Sequence, residues 1–398
     1  MKILHINGTS EGGTFNVIYD LHKALLKKKI KSNIYLPEKM NIKNSYYPKS
    51  FFFYFYSKII NLLKKIIRKI LLRTNSSITL SFFKSFEIKK IIKKIKPDII
   101  HLHWIGNEFI SLDEIVNMKL PLVWTMHDLW LVHSYFHYEE KAKKNFFSKI
   151  MINHLSKKKN FLIKKKITII PTSTWSYKKL DKKFQSIDNK YKKIPCGIDF
   201  TKWFPMNKQI AKKTLGLKNK PIVLFIAYGV NNSRKGFDYL NKSLKFIKHD
   251  YELLIVGDQK PLHINDKKYK FIFAPKNIKI RRLIYNSADL LVAPSIQEAF
   301  GLVCLEAAAC NTPSVIFNDN GLEDIIKHKI NGYVAKKKNV KDLGRGINWI
   351  LSSMKMKPKR FNVCRSKVVK KYNIKNLAND YILVYKKLLN KNINYQKK

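Results

Sequence analysis

The sequence is poor in acidic residues: 27 Asp and Glu stand against 79 Lys and Arg over 398 residues, a formal net charge of +52. Such a field attracts polyanions, whether nucleic acid, anionic lipid headgroups or diphosphates. No aromatic-interleaved basic module and no zinc-finger spacing accompanies the charge. The excess is almost all lysine, spread along the whole chain, so specific nucleic-acid binding is not expected. Cysteine is scarce too. Cys196, Cys304, Cys310 and Cys364 form no C-x-x-C, which argues against a disulfide framework and suits reduced thiols. No run reaches the ~18 uncharged apolar residues that a bilayer span requires. The opening segment Met1–Asn7 is too short for a signal-peptide core and lacks a small-residue cleavage site. A cytosolic or peripheral protein is expected.

What the chain has is alternation. Short apolar runs alternate with amphipathic segments, the pattern of β-α-β units around a mostly parallel sheet. Strands are predicted at 2–7, 33–36, 98–104, 122–126 and 167–172, then at 222–227, 252–256, 270–273, 290–293 and 314–317. Helical periodicity lies between them, as over 15–26, 237–247 and 302–310. Hydrophobic residues at 45% suffice for two cores, and the length suits two domains of about 150–200 residues. Pro, Gly and Asp interrupt the periodicity over 195–221, where the domains should join. The expected division is an N-terminal domain over 1–200, a second over 201–370, and a C-terminal helix over 371–398 that packs back on the first.

One insertion, 46–96, departs from this rhythm. Over 58–73, Ile59, Leu63, Ile66, Ile67 and Ile70 fall on one helical face, with Lys64, Lys65, Arg68 and Lys69 near the other. Aromatic residues, 51–56, stand just before it. A basic amphipathic helix beside aromatics reads as an interfacial anchor on an anionic membrane. It reads equally as an ordinary helix with its apolar face on the sheet and its lysines in water.

Four segments carry candidate chemistry. The first is Glu298-Ala-Phe-Gly-Leu-Val-Cys-Leu-Glu306, which follows a strand and opens a helix at Gly301. Helix N-terminal amides favour phosphate or developing negative charge, and carboxylates accept hydrogen bonds from sugar hydroxyls. Taken alone it also reads as an acidic helix start with one glutamate paired to a lysine. The second is Asn231-Asn-Ser-Arg234-Lys235-Gly236, two cations beside free amides at a helix start, as a departing diphosphate requires. The third is Gly12-Gly13 after the first strand, where backbone can approach a phosphate; a plain strand-to-helix turn fits as well. The fourth is the histidine group: His101, His103 beside Trp104, His127 beside Asp128, then His133 and His137. These fall at strand C-terminal ends, where open α/β sheets place ligands. With no supporting cysteine or tight ligand spacing, no metal is expected there.

The Glu298–Glu306 string resembles the E-x7-E signature of the retaining family-4 glycosyltransferases, including its internal Phe-Gly. The resemblance runs over nearly the whole chain and is weakest over 46–96. Pro195-Cys-Gly-Ile-Asp199 is similar to the family's N-G-[IV]-D, and Asn331-Gly332-Tyr333 to its late N-G turn. The nearest flavour is that of colanic-acid-type and lipopolysaccharide-type enzymes. The resemblance implies a GT-B fold, two facing Rossmann-like doubly wound domains with a cleft between them. It implies transfer of a hexosyl-type sugar from a nucleoside diphosphate to a saccharide or lipid-linked acceptor, with retention and without cofactor or metal, at the inner face of the plasma membrane.

By position, the resemblance assigns His127, Glu298 and Lys235 to catalysis. Gly12, Gly13, Arg234, Lys235, Phe300, Gly301, Leu302 and Glu306 would bind the nucleotide sugar, Glu298 meeting the sugar and Glu306 the ribose. His103, Trp104 and Asp128 would line the acceptor cleft. Many members carry an arginine six residues before Lys235, where this chain has Gly229. Two other readings stand beside this one: a nucleotide-sugar epimerase of the same fold, and a non-catalytic basic protein that binds membrane or RNA.

Overall fold

The computed structural model describes residues 1–74, 76–85, 87–140, 145–165, 167–184, 192–264 and 269–396. The chain forms two compact units, Met1–Pro195 with Leu377–Lys398, and Cys196–Asn376.

In the first unit six strands form one sheet: β1 (Lys2–Ile6), β2 (Lys31–Tyr35), β3 (Ser45–Tyr46), β4 (Ile99–Leu102), β5 (Leu122–Met126) and β6 (Ile167–Pro171). The second unit has β7 (Ile222–Ala227), β8 (Glu252–Gly257), β9 (Tyr269–Phe273), β10 (Leu290–Ala293), β11 (Ser314–Phe317) and β12 (Gly332–Ala335). The orders are β3-β2-β1-β4-β5-β6 and β12-β11-β10-β7-β8-β9, with every pairing between these strands parallel. Numbered within its own unit, the second sheet has the same order as the first, the doubly wound Rossmann arrangement. In each, strand order reverses at one point, between β1 and β4 and between β7 and β10. The crevice outside the carboxyl ends of those strands is where such sheets bind ligands.

The central strands are apolar on both faces because helices cover both, so they read as short continuous runs instead of alternating ones. Residues of β5, β10 and β11 are all buried. The ten predicted strands all form, four with the boundaries read from sequence. Two strands were not anticipated. β3 has two residues, too few for any period. β12 begins at Gly332, inside the segment expected only as a turn: Asn331 makes that turn, its side chain bonded to Lys327 N and Ile325 O, and Gly332 then pairs with Ser314 of β11.

The insertion opens with a helix, Phe51–Ile66, continued by a π-helical turn, Ile67–Leu71, and closes with a second helix, Ile88–Ile95. The inward face of the first is not the apolar stripe read from sequence. Ile60 and Leu72 are buried, and Ile67 packs on the core. Lys64 also turns inward, its Nζ 3.8 Å from Glu108 Oε1. Glu108 is buried and accepts hydrogen bonds from Leu80 N and Ser81 N at 2.8 and 2.5 Å. Of the apolar face read from sequence only Ile67 turns inward, while Ile59, Leu63, Ile66 and Ile70 are 40–64% exposed, together with Phe55 and Leu62. A buried carboxylate requires a partner, and Lys64 supplies it from the inward side of the helix. The side chains of residues 51–54 lie outside the described residues. Among the described residues no helix is long and apolar enough to cross a membrane.

Candidate functional site

In the second unit two loops meet at the reversal of strand order. The loop after β7 ends in a 3-10 turn, Ser233–Lys235, capped by the Asn232 side chain. The loop after β10 carries residues 294–301. Ile296 N donates to Arg234 O at 2.8 Å, and Arg234 Nη1 donates to Gln297 O at 2.8 Å. Gly236 permits this closeness, and Gly301 permits the packing of the second loop on Leu322. Gly236 has φ +76°, and a Cβ there would lie 2.0 Å from Pro294 O; Gly301 has φ +94°, and its Cβ would lie 1.9 Å from Leu322 Cδ2. Both positions need left-handed backbone and no side chain.

The loops converge on one carboxylate. Glu298 Oε2 accepts from Lys235 Nζ at 2.7 Å and from Arg234 Nη1 at 3.2 Å. Burial alone would push the Glu298 carboxyl up, but the two cations outweigh it and lower it to about 2. Burial in turn lowers the Lys235 ammonium, partly offset by Glu298. The cluster therefore holds two positive charges against one negative.

Glu306 lies in the helix Leu302–Ala309 and is 3% exposed. Sequence reasoning missed its partners. Arg281 Nη2 donates to Oε1 and Oε2 at 2.8 and 2.6 Å, and Tyr285 Oη donates to Oε2 at 2.7 Å. Arg281 and Tyr285 stand four apart on the helix Ile278–Ser287 and so share a face; that spacing was the available signal. An ionised carboxylate offers about four lone-pair sites, so three bonds leave room for one hydroxyl donor. Phe300 is 4% exposed and packs edge-on to Tyr372 at 5.6 Å. Its side chain belongs to the core, and only its backbone lies on the loop. Leu302 opens the helix, half-buried.

In the first unit the histidines gather at the carboxyl ends of β1, β4 and β5. His103 Nε2 lies 3.0 Å from His5 Nδ1, and His103 Nδ1 lies 3.1 Å from His127 Nε2. His101 bonds Tyr385 Oη at 2.7 Å and Thr125 Oγ1 at 2.8 Å. Desolvation lowers all four: His5 to about 3, His127 to about 4, and His101 and His103 well below the ordinary value. His103 was expected in a cleft wall. It is 2% exposed with both ring nitrogens engaged, so it supports His127 from beneath. Trp104 and His127 are half-buried. Asp128 binds His137 Nδ1 at 2.5 Å and accepts from Trp130 N at 2.9 Å. Burial would raise its carboxyl, yet His137 and that backbone N–H bring it below the usual range. Among the described residues, only His5, His101 and His103 have ligand atoms grouped as a metal site needs, within 4.8 Å.

The loop after β5 is held by Lys159, which is 2% exposed. Its Nζ donates to Trp130 O, His133 O and Ser134 O at 2.5, 2.9 and 2.5 Å. After β1, the helix Gly12–Lys27 begins without a side-chain cap, and nothing lies within 4 Å of a Cβ built on Gly12, whose φ is +83°. Gly13 follows in its first turn, exposed. First-turn amides beside an open glycine can take an anion.

The sequence matches two family models: glycosyltransferase family 4 over residues 11–202, and glycosyl transferases group 1 over residues 207–362. An uncharacterized glycosyltransferase of Methanocaldococcus jannaschii is 26% identical over 330 residues, 78% of this chain and 81% of that protein. The N,N'-diacetylbacillosaminyl-diphospho-undecaprenol alpha-1,3-N-acetylgalactosaminyltransferase of Campylobacter jejuni is 30% identical over 207 residues; the match covers 48% of this chain and about half, 53%, of that enzyme. Among solved structures, the Anabaena protein HepE in complex with UDP and glucose superposes with a TM-score of 0.68 at 16% identity, over 97% of this chain and all of that one. At that identity the likeness speaks for the fold.

Proposed function

Because this chain belongs to the GT-B glycosyltransferases of the family-4 type, we propose that it moves a hexosyl-type sugar from a nucleoside diphosphate to a lipid-linked saccharide. The configuration at the transferred carbon is retained, and the product enters a cell-surface polysaccharide or lipopolysaccharide. The observation that carries this reading is the Arg234–Lys235–Glu298 cluster at the strand reversal of the second unit. Its net positive charge suits a diphosphate whose charge grows as the glycosidic bond breaks.

Lys235 and Arg234 turn from Glu298 to the diphosphate when donor binds, and the freed carboxylate accepts from the sugar hydroxyls. Glu306, held by Arg281 and Tyr285, takes a ribose hydroxyl. Gly12 and Gly13 offer backbone to the phosphates, while His127 meets the sugar and Trp104 and Asp128 shape the acceptor's surroundings. The two cations supply the charge a divalent ion would bring, so no metal is needed. The leaving phosphate accepts the acceptor's proton as the new bond forms on the same face.

A lipid-linked acceptor places the enzyme at a membrane, on the cytoplasmic side where nucleotide sugars are made. The exposed Phe55, Ile59, Leu62, Ile66 and Ile70, with Lys65, Lys69 and Arg73 exposed among and beside them, suit an anionic interface. The deciding experiment is a transfer assay with UDP-sugars and an undecaprenyl-diphosphate-linked saccharide, with the product's anomeric configuration read by NMR. An altered free sugar nucleotide without acceptor product would establish an epimerase instead. Absence of both transfer and nucleoside-diphosphate binding would overturn the reading.

A further inference from the structure

Three imidazoles run in file from the buried sheet to the half-buried His127: His5 Nδ1 to His103 Nε2 at 3.0 Å, then His103 Nδ1 to His127 Nε2 at 3.1 Å. A neutral imidazole has one N–H and one lone pair, and burial keeps these rings neutral. Only two arrangements then satisfy both bonds. In one, every proton sits on Nδ1: His5 donates to His103, His103 donates to His127, and His127 keeps its own proton on Nδ1. In the other, every proton sits on Nε2 and the donations run inward, leaving His127 Nδ1 unprotonated.

The far end of the file decides between them. His5 Nε2 is fully buried and has no hydrogen-bond partner. The inward arrangement would bury an unpartnered N–H there, and the outward one only a lone pair. Among main-chain groups an orphaned buried N–H is rarer than an under-satisfied acceptor, and the same preference applied to this ring selects the outward arrangement. His101, the remaining ring of the cluster, does not compete, since Tyr385 and Thr125 already engage both its nitrogens.

We propose that His5 and His103 are positioning residues that fix His127 as its Nδ1–H tautomer, making His127 a hydrogen-bond donor to an oxygen of the substrate and not a base that removes the acceptor's proton. Which ring nitrogen carries the proton is set by the bond the other makes, and here that bond is two residues deep. The role in transfer rests on His127 meeting the sugar; the tautomer itself does not.

The test uses the whole protein labelled with 15N-histidine. In a long-range 1H–15N spectrum, His127, assigned by loss of its signals in His127→Asn, should show Nδ1 protonated and Nε2 bare. His5→Phe removes the first donor, so His127 should shift toward mixed tautomers. Its kcat should fall about tenfold with donor KM unchanged within about twofold, the scale for loss of an orienting partner. His5→Asn, whose amide nitrogen can stand where Nδ1–H stood, should restore both. A wild-type His127 protonated at Nε2 overturns the proposal, as does an unchanged tautomer in folded His5→Phe. So does a stoichiometric metal on the cluster, removable by chelator. If His5→Phe does not fold, the wild-type spectrum still decides. If no transfer is found at all, the spectrum judges the tautomer separately from the transferase reading.

Discussion

Lys235 Nζ lies 2.7 Å from Glu298 Oε2, so the cluster holds its principal cation against the carboxylate expected to meet the sugar. Donor binding is then an exchange of partners, and the residues on either side of the exchange should fail in different ways.

Lys235→Ala should lower turnover more than donor affinity, because the ammonium matters most as the diphosphate departs. About 2.7–4 kcal/mol of transition-state stabilisation is the scale for removing one such group. Arg234→Ala should cost less in turnover but more in stability, since Arg234 also bonds Gln297 O. Steady-state kinetics with thermal melts separate the two. Wild-type turnover in Lys235→Ala would move the diphosphate site elsewhere.

Glu298→Gln should leave nucleoside-diphosphate affinity nearly intact while transfer collapses. Glu306→Gln should weaken that affinity, with charge-assisted hydrogen bonds worth about 1.5–3 kcal/mol each. It should also lower the melting temperature, because Arg281 and Tyr285 lose an ionised partner. Calorimetry with the diphosphate and a melt of each variant check both statements.

The Glu298 carboxyl, lowered to about 2 from an ordinary 4.5, adds stability that is complete above 4.5. That contribution is lost as pH falls through the folded value near 2. Lys235→Ala removes the strongest cause of the lowering, so its acid unfolding should begin at a higher pH than the parent's. Circular dichroism across pH 2–5 reads this directly. Superimposable acid limbs would show that the pair does not form in solution.

The protein should sediment with anionic liposomes and be released by salt, since headgroup attraction is screened. Replacing Ile59, Leu62, Ile66 and Ile70 by Ser should abolish sedimentation, and Lys65, Lys69 and Arg73 by Gln should weaken it. Lys64 is left out of the set because it partners Glu108. Neither set should alter nucleotide affinity. Equal binding to neutral and anionic vesicles would count against the interface.

Much of this was legible in sequence. Buried parallel strands announce themselves as apolar runs, so β5, β7, β10 and β11 appeared with their boundaries, and the motif from Glu298 to Glu306 marked the site. What escaped depended on pairings between distant residues. Glu108 lies far along the chain from Lys64, and nothing local says which lysine of a lysine-rich helix must turn inward. His5 reads as one polar residue in a strand until parallel pairing sets it opposite His101. His103 reads as a wall of the acceptor cleft beside Trp104 until its burial is known. Arg281 and Tyr285 were visible as a helix face, but their target was not.

Lys159 has a last consequence. An ammonium enclosed by the carbonyls of Trp130, His133 and Ser134 occupies the kind of oxygen cage in which loops elsewhere hold a potassium or sodium ion. The chain here carries that cation covalently, on a helix of the same unit, so the charge that ties the loop beyond His127 is not drawn from the medium.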